Sequence, residues 1–470
     1  MNKITLLTFL VFSAQLLSAQ ITSKQIGGSF VKDTKNYGFA NNGKLMALGS
    51  SGTGAYNGTS FLQRAGMVKL YLKSANGWEN VKDIKSEKPG YEFGFGSAIA
   101  MNDKQLFITQ SRSLFVYDIG DNDTNLTLTQ TIDIGKSESL ALYENTLVYR
   151  KSNGKYAISK LENNVWTETQ EMQVGNNLYF DASYNIKIKD EWIFFGMPEY
   201  QLDKNGENMI SESGMVVAYR LNSNKQYEFH SYIEPKVRKE NSTWGYGEYF
   251  GWSVAYEAGW LAVSAHQAGG NAGRKQGGVY IFKLENNKWV EIQKLGSTSD
   301  YFLEQFGCGV TLVDGNLLVG NKNENPVEGG LTMYHFYRVG DNFQYKAKAS
   351  AGAQKIIVLN DTFYSTYSND EDVYLYEGTF SKEAVSITKE ATHDNLLVSY
   401  HHESNSILIQ HDLSISFDVE VYDLTGKVLF QQHNSSPTVN TLQVKLPHLN
   451  GQTLVVRCGN EVRKIMVMGN

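Results

Sequence analysis

The stretch "FGWSVAYEAGWLAVSA", from Phe250 to Ala265, constrains this chain most, because its pattern returns. Two short apolar runs stand on either side of a tight turn, behind a Phe-Gly pair. The same arrangement reappears as "FGCGVTLVDGNLLVGN" from Phe306 and, more loosely, as "FGSAIAMNDKQLFITQ" from Phe95. From Phe250 the chain continues through a polar loop, "HQAGGNAGRKQGG", to "VYIFKL", a turn at "ENNK" and "WVEIQKL". Alternation within each run and turn residues between runs make four short strands per unit.

Related four-strand units begin near Tyr37, Leu140, Asn185 and Lys355, giving about seven units of roughly 40 to 70 residues. A four-stranded sheet cannot bury both faces alone. Stacking such sheets around an axis buries them and leaves few open edges. The expected fold is therefore all-β: a seven-bladed β-propeller of four-stranded blades, with small apolar inner strands such as "SVA" and "GVTL". A string of β-sandwiches is the competing arrangement, but its unit would have about seven strands. The 43 Gly, 28 Tyr and 23 Phe against only 6 Pro suit a chain of strands and tight turns.

The pattern of Phe-Gly, small-Val-Ala, a turn, "LAVSA" and later "GGVYIF" resembles the FG-GAP repeat, which builds the seven-bladed propeller of integrin α-subunits and of many bacterial surface proteins. The resemblance spans about residues 27–390 and is closest at Phe250 and Phe306. Integrin-type blades often carry an Asp-x-Asp-x-Asp-Gly calcium loop between their first two strands. Here those turns read "YEAGW", "VDGN" and "MNDKQ". They hold too few carboxylates for a hard cation, so no metal or other cofactor is expected; calcium stays an open alternative that the blade turns do not support. "DNDTN" (Asp121 to Asn125) and "DKNGEN" (Asp203 to Asn208) read as ordinary turn chemistry.

The ends of the chain read differently from the middle. "MNKITLLTFLVFSAQLLSAQ" has a basic start, an apolar run too short for a bilayer span, and small residues before Gln20. That describes a secretory signal over residues 1–19, cleaved after Ala19. The propeller is expected over 20–390. Residues 391–470 form a second small all-β domain, β-sandwich-like, with a hairpin turn at "DLTGK", Asp423 to Lys427. Its segments "VEVYDLTGKVL", "LPHLNGQTLVVR" and "RKIMVM" resemble the type A C-terminal sorting domain of the Bacteroidetes type IX secretion system, although the usual Tyr-Pro-Asn-Pro opening is absent. That resemblance implies Sec export, passage across the outer membrane through the type IX machinery as a partner, and an extracellular or outer-surface location. Two cysteines, Cys308 and Cys458, exclude a disulfide framework and read as small buried thiols. Six of the 9 His lie in the tail, scattered over strands and turns rather than at metal-ligand spacing.

A net charge of −6 argues against nucleic acid. In a propeller the connections between second and third strands leave from the same face as the links between blades. The long loops here are of those two kinds: 50–64, 198–214, 266–278, 321–330 and 234–249. Candidate ligand-binding residues are therefore Trp244, Tyr246 and Tyr249 on the aromatic link "STWGYGEYFGW", with His266 and Arg274 on the neighbouring loop. The competing reading is that these rings pack between blades, above all Trp252 on its strand. No nucleophile elbow, zinc-protease motif or phosphate loop is present. Asp203, Glu207, Glu248 and Asp300 fall near the loop-rich face, but no spacing fixes a catalytic pair. The expected function is non-enzymatic binding or adhesion to a glycan or protein, with a secreted glycan hydrolase or lyase as the alternative.

Overall fold

The computed structural model describes residues 21–26, 37–57, 60–87, 89–90, 93–135, 139–174, 185–200, 202–204, 208–210, 213–236, 247–268, 276–296, 305–322, 331–368 and 373–380. Beyond these it describes the strands of the C-terminal region between 396 and 466. Among the described residues all helical or extended structure is strand, and no helix is long and apolar enough to cross a membrane.

Seven four-stranded antiparallel sheets follow one another along the chain, as the repeat requires. Blades 1 to 6 span Phe39–Ile84, Ile99–Asp133, Leu140–Met172, Asn185–Ile233, Phe250–Leu295 and Gly309–Ala349. Strands are numbered here from the axis outward. Each innermost strand touches the innermost strand of the next blade, and the last touches the first, so the seven sheets close a ring.

The seventh blade is composite. Lys355–Leu359, Thr362–Ser368 and Val373–Thr379 supply three strands, and the outermost comes from the other end of the chain. Thr22–Gln25 pairs antiparallel with Val373–Thr379, matching Thr22 to Thr379 and Gln25 to Tyr376. Ile21, just before it, is buried with Phe363 and Phe380. Ring closure therefore uses main-chain hydrogen bonds and removes an open sheet edge.

The Phe-Gly motif is explained by contacts between blades. Phe95, Phe250 and Phe306 are fully buried against their own third strands, Phe250 lying 5.4 Å from Tyr280 and Phe306 5.2 Å from Tyr334. Each Phe also makes a single parallel β-bridge to a glycine at the start of the preceding blade's third strand: Gly66 to Phe95, Gly214 to Phe250, Gly277 to Phe306. These glycines have φ of 86, 74 and 82°. A Cβ on any of them would lie 2.1 Å from the main chain of its Phe. Only a residue without a side chain fits both the left-handed backbone and the close approach. The bridge also confirms that second-to-third loops and blade links share one face, the upper face below.

A second connection runs between outermost strands and was invisible in the sequence. The carboxamide of Gln130 in blade 2 donates to Trp166 O (2.8 Å) and accepts from Trp166 N (2.9 Å) in blade 3. Gln170 treats Tyr227 of blade 4 in the same way, at 2.6 and 2.8 Å. Gln293 treats Phe343 of blade 6 so, at 3.0 and 2.7 Å. All three glutamines stand beside the β-bulge that bends each outer strand. Outer-strand aromatics also brace seams: Trp166 packs on Phe107 at 5.3 Å between blades 2 and 3, Trp289 on Phe194 at 5.5 Å between blades 4 and 5, and Phe343 on Trp260 at 5.9 Å between blades 5 and 6. Burying such rings stabilises each seam by roughly 1.5–3 kcal/mol per side chain.

The C-terminal strands form a three-stranded and a four-stranded sheet. Alternate residues are buried (Ile407 and Ile409, Val419 and Val421, Leu454 and Val456), which gives each strand one apolar face. The expected hairpin joins Phe417–Asp423 to Val428–Asn434, with Lys427 N donating to Asp423 Oδ1 at 3.0 Å. Cys308 is a free, buried thiol in the propeller; its Sγ donates to Ala353 O, and burial pushes its pKa up to about 12, which makes it inert. The side chain of Cys458 lies outside the described residues.

Candidate functional site

The upper face carries the expected candidates, and the structure brings three aromatic rings together there. Tyr249 ends the link into blade 5 in a left-handed conformation, φ 55°. Trp252 follows on the innermost strand, and His266 stands just beyond the second strand, Trp260–Ala265. The rings of Trp252 and His266 lie 4.2 Å apart, and Tyr249 approaches His266 at 5.5 Å. Trp252 Nε1 donates to Cys308 O of blade 6 at 3.2 Å. His266 is buried, whereas Tyr249 and Trp252 are half-buried. Trp252 thus seals the blade 5–6 seam at its upper end, as the packing reading expected, and only part of the group faces solvent. Trp244, Tyr246 and Arg274 lie outside the described residues.

Glu248, one of the carboxylates near this face, is buried and engaged. Its Oε2 accepts from Tyr280 OH at 2.7 Å, and Lys294 Nζ donates to the same phenol at 2.5 Å from 4.4 Å above its ring. Lys294 Nζ is 3.9 Å from Glu248 Oε1. This chain ties the blade link to the third and fourth strands of blade 5. Among the described residues its partners are a phenol and an ammonium rather than a second carboxylate. Glu207, Asp300 and the side chain of Asp203 lie outside the described residues.

Two aromatic residues on this face escaped the sequence reading. The loop between the second and third strands of blade 1 folds into a hairpin, Ala55–Asn57 paired with Ser60–Leu62. Tyr56 and Phe61 face each other across it, 5.2 Å apart and edge to face, and are 72% and 58% exposed. Phe93, on the following blade link, is 41% exposed. The Asn-Gly pair in "YNGTSF", flanked by aromatics, was the available signal. A similar small hairpin, Leu202–Lys204 with Asn208–Ile210, decorates blade 4.

Lys187 is the one charged residue at the centre of an innermost strand where blades 3 and 5 carry Ala141 and Ala255. Burial pulls its ammonium below the ordinary lysine range. Among the described residues no cluster of His, Cys, Asp and Glu has the geometry to hold a metal ion.

On the opposite, lower face a groove of about 510 Å³ opens at the outer rim between blades 4 and 5. Glu191, Arg220, Asn222, Phe229 and His230 line it from blade 4, and Asn287 from blade 5. Arg220 Nη1 donates to Asn287 Oδ1 at 2.8 Å, and its Nη2 lies 3.3 Å from Glu191.

With this geometry in hand, residues 245–282 match the FG-GAP repeat family; the match covers the link into blade 5 and that blade's first three strands. No curated protein sequence matches the chain. Among solved structures, Hsv2 from Kluyvelomyces marxianus is similar at 10% identity, covering 89% of this chain and all of its own, with a TM-score of 0.39. BamB from Moraxella catarrhalis is similar at 12% identity, covering 76% of this chain and 99% of its own, also with a TM-score of 0.39. The strand order defines the fold independently of these likenesses. The chain is an all-β, FG-GAP repeat-bearing propeller protein with small additional C-terminal sheets.

Proposed function

We propose that this is a non-enzymatic binding or adhesion protein of the cell exterior, whose upper propeller face takes a glycan or protein ligand. The observation that carries the reading is the Tyr56–Phe61 pair, a solvent-exposed aromatic tip on the loop-rich face. Exposed aromatic pairs cost solubility and suit stacking on sugar rings or anchoring in a protein pocket. Trp244, Tyr246 and Arg274 belong to the same reading through their place in the sequence. The signal segment and the sorting-domain resemblance support export by the Sec and then type IX routes, with the C-terminal sheets as the part the exporter handles.

The test is retention on a glycan array and on surface extracts, using the secreted chain and a Tyr56→Ala/Phe61→Ala variant. Retention by the parent and loss of at least tenfold in the variant, with unchanged Tm, supports the reading. New reducing ends released from polysaccharide would replace it with the hydrolase or lyase alternative. Deleting 391–470 should hold the protein inside the outer membrane; undiminished secretion would remove the export reading.

A further inference from the structure

Lys187 stands where the seven blades converge, in a ring of positions that otherwise carries no charge. Pairing with the second strand identifies the same position in every innermost strand. Lys187 pairs with Phe194 as Ala40 pairs with Ala47, Ala100 with Phe107, Ala141 with Val148 and Ala255 with Ala262. Blades 6 and 7 have Thr311 and Ile357 there. Six blades thus place an uncharged residue beside the axis, alanine in four of them. Blade 4 places a four-carbon stem and an ammonium.

No protein group answers that ammonium. Among the described residues Lys187 makes no hydrogen bond and no ion pair. The charged groups that act on it are Lys189 and Glu257, which oppose each other. Those two are paired already at 3.3 Å, and Glu257 Oε2 also accepts from Gly315 N at 2.9 Å. Two residues nearer the upper face the ring carries Ser139, Asn185, Ser253 and Lys355, and no carboxylate. Lys355 Nζ is taken up by Tyr37 O. Half-buried apolar residues, among them Met101, Leu142 and Val358, complete the innermost strands. Lys187 is itself half-buried rather than sealed, so solvent reaches it. An unanswered charge among apolar groups is destabilising, and the alanines of four blades show that the ring closes without it.

We infer that the axial channel binds a small organic monocarboxylate, its charged end on the Lys187 ammonium and its hydrocarbon part against the apolar inner strands. A charge-assisted contact of this kind is stronger than a neutral one, and more so away from bulk water. Each innermost strand is paired on one side only, so its free edge adds main-chain N–H groups beside the axis. A doubly charged phosphate loses more hydration on entering an apolar channel and is disfavoured. The inference is independent of the ligand proposed for Tyr56 and Phe61.

The test uses the full chain labelled with 13C at lysine Cε, the Lys187 signal being assigned by its loss in Lys187→Met. The probe is sodium butyrate. Butyramide, of the same shape without the charge, and inorganic phosphate at matched ionic strength are the comparators. The expected result is a saturable shift of the Lys187 signal with a Kd on the order of 1 mM, and binding at least about 10-fold weaker for both comparators. Butyrate should also raise the Tm of the parent but not of Lys187→Ala, which carries the residue of four other blades and should fold. No saturable shift at Lys187, an equal response to butyramide, a stronger response to phosphate, or the same butyrate-induced rise in the Tm of Lys187→Ala would each overturn the inference.

Discussion

Blades 2 and 3 meet without a Phe-Gly pair, whereas blades 4 and 5 meet through one. The first seam is held at the outer rim, where Gln130 grips Trp166 and Gln105 satisfies its indole. The second is held near the axis, where Gly214 bridges Phe250, and has no glutamine grip at the rim, where Ser231 stands at that register and Trp289 packs on Phe194 above a groove confined to the lower edge. The two fastenings are separate devices on the same scaffold. The seam between blades 5 and 6 has both, through Gly277 and Gln293. A propeller can therefore lose one device at a given seam and stay closed there by the other.

The hardest way to break this comparison is at Gly214. Gly214→Val puts a Cβ 2.1 Å from Phe250 O on a backbone at φ 74°. With no glutamine to compensate at that seam, the variant should lose at least about 4 kcal/mol, or fail to fold, in denaturant titration. A smaller loss than for Gly277→Val, where Gln293 remains, would contradict the division of labour.

The seam between blades 6 and 7 has neither device, Ala347 standing at the glutamine register. There His335 Nε2 donates to Asn316 Oδ1, 2.9 Å away, and the ring packs on Phe380. Burial pushes its pKa down to about 4 from 6.5. The unfolded chain then binds a proton that the folded one refuses. Stability from this group is full above pH 6.5 and falls by up to about 1.4 kcal/mol per pH unit toward pH 4. Urea titrations between pH 7 and 4 should show this slope, and His335→Gln should flatten it.

Gln130→Ala removes two hydrogen bonds at a seam with no Phe-Gly pair. It should cost about 1–3 kcal/mol and speed hydrogen exchange at Trp166. The smallest effect is a gain: Ser231→Gln should stabilise by about 1 kcal/mol, read as a rise in Tm of roughly 1–3 °C. A fall in Tm would show that the blade 4–5 rim has no room for the missing amide.

What was legible follows the distance between partners. Strand beats and the Phe-Gly pair are local patterns, so the seven units could be read from alternation and turns. Gln130 was not, because in "TLTQTID" it looks like one more exposed polar residue of an outer strand, and its partner Trp166 sits in the next repeat. Thr22–Gln25 gave no sign of completing a blade whose other strands begin at Lys355. On the upper face, the aromatic wealth around Tyr249 was readable but its division was not. Trp252 spends its indole on Cys308 O, while the exposed rings sit instead on the Tyr56–Phe61 hairpin.

The composite seventh blade makes the order of synthesis matter. Thr22–Gln25 is made about 350 residues before the strand it pairs with, Val373–Thr379. Until that partner arrives, the growing chain is an arc with two raw ends. Contacts so distant along the sequence form slowly, since a long loop must close before they contribute. The ring's final locking is thus a late event, and a chain stopped anywhere short of Thr379 holds a latch with no catch.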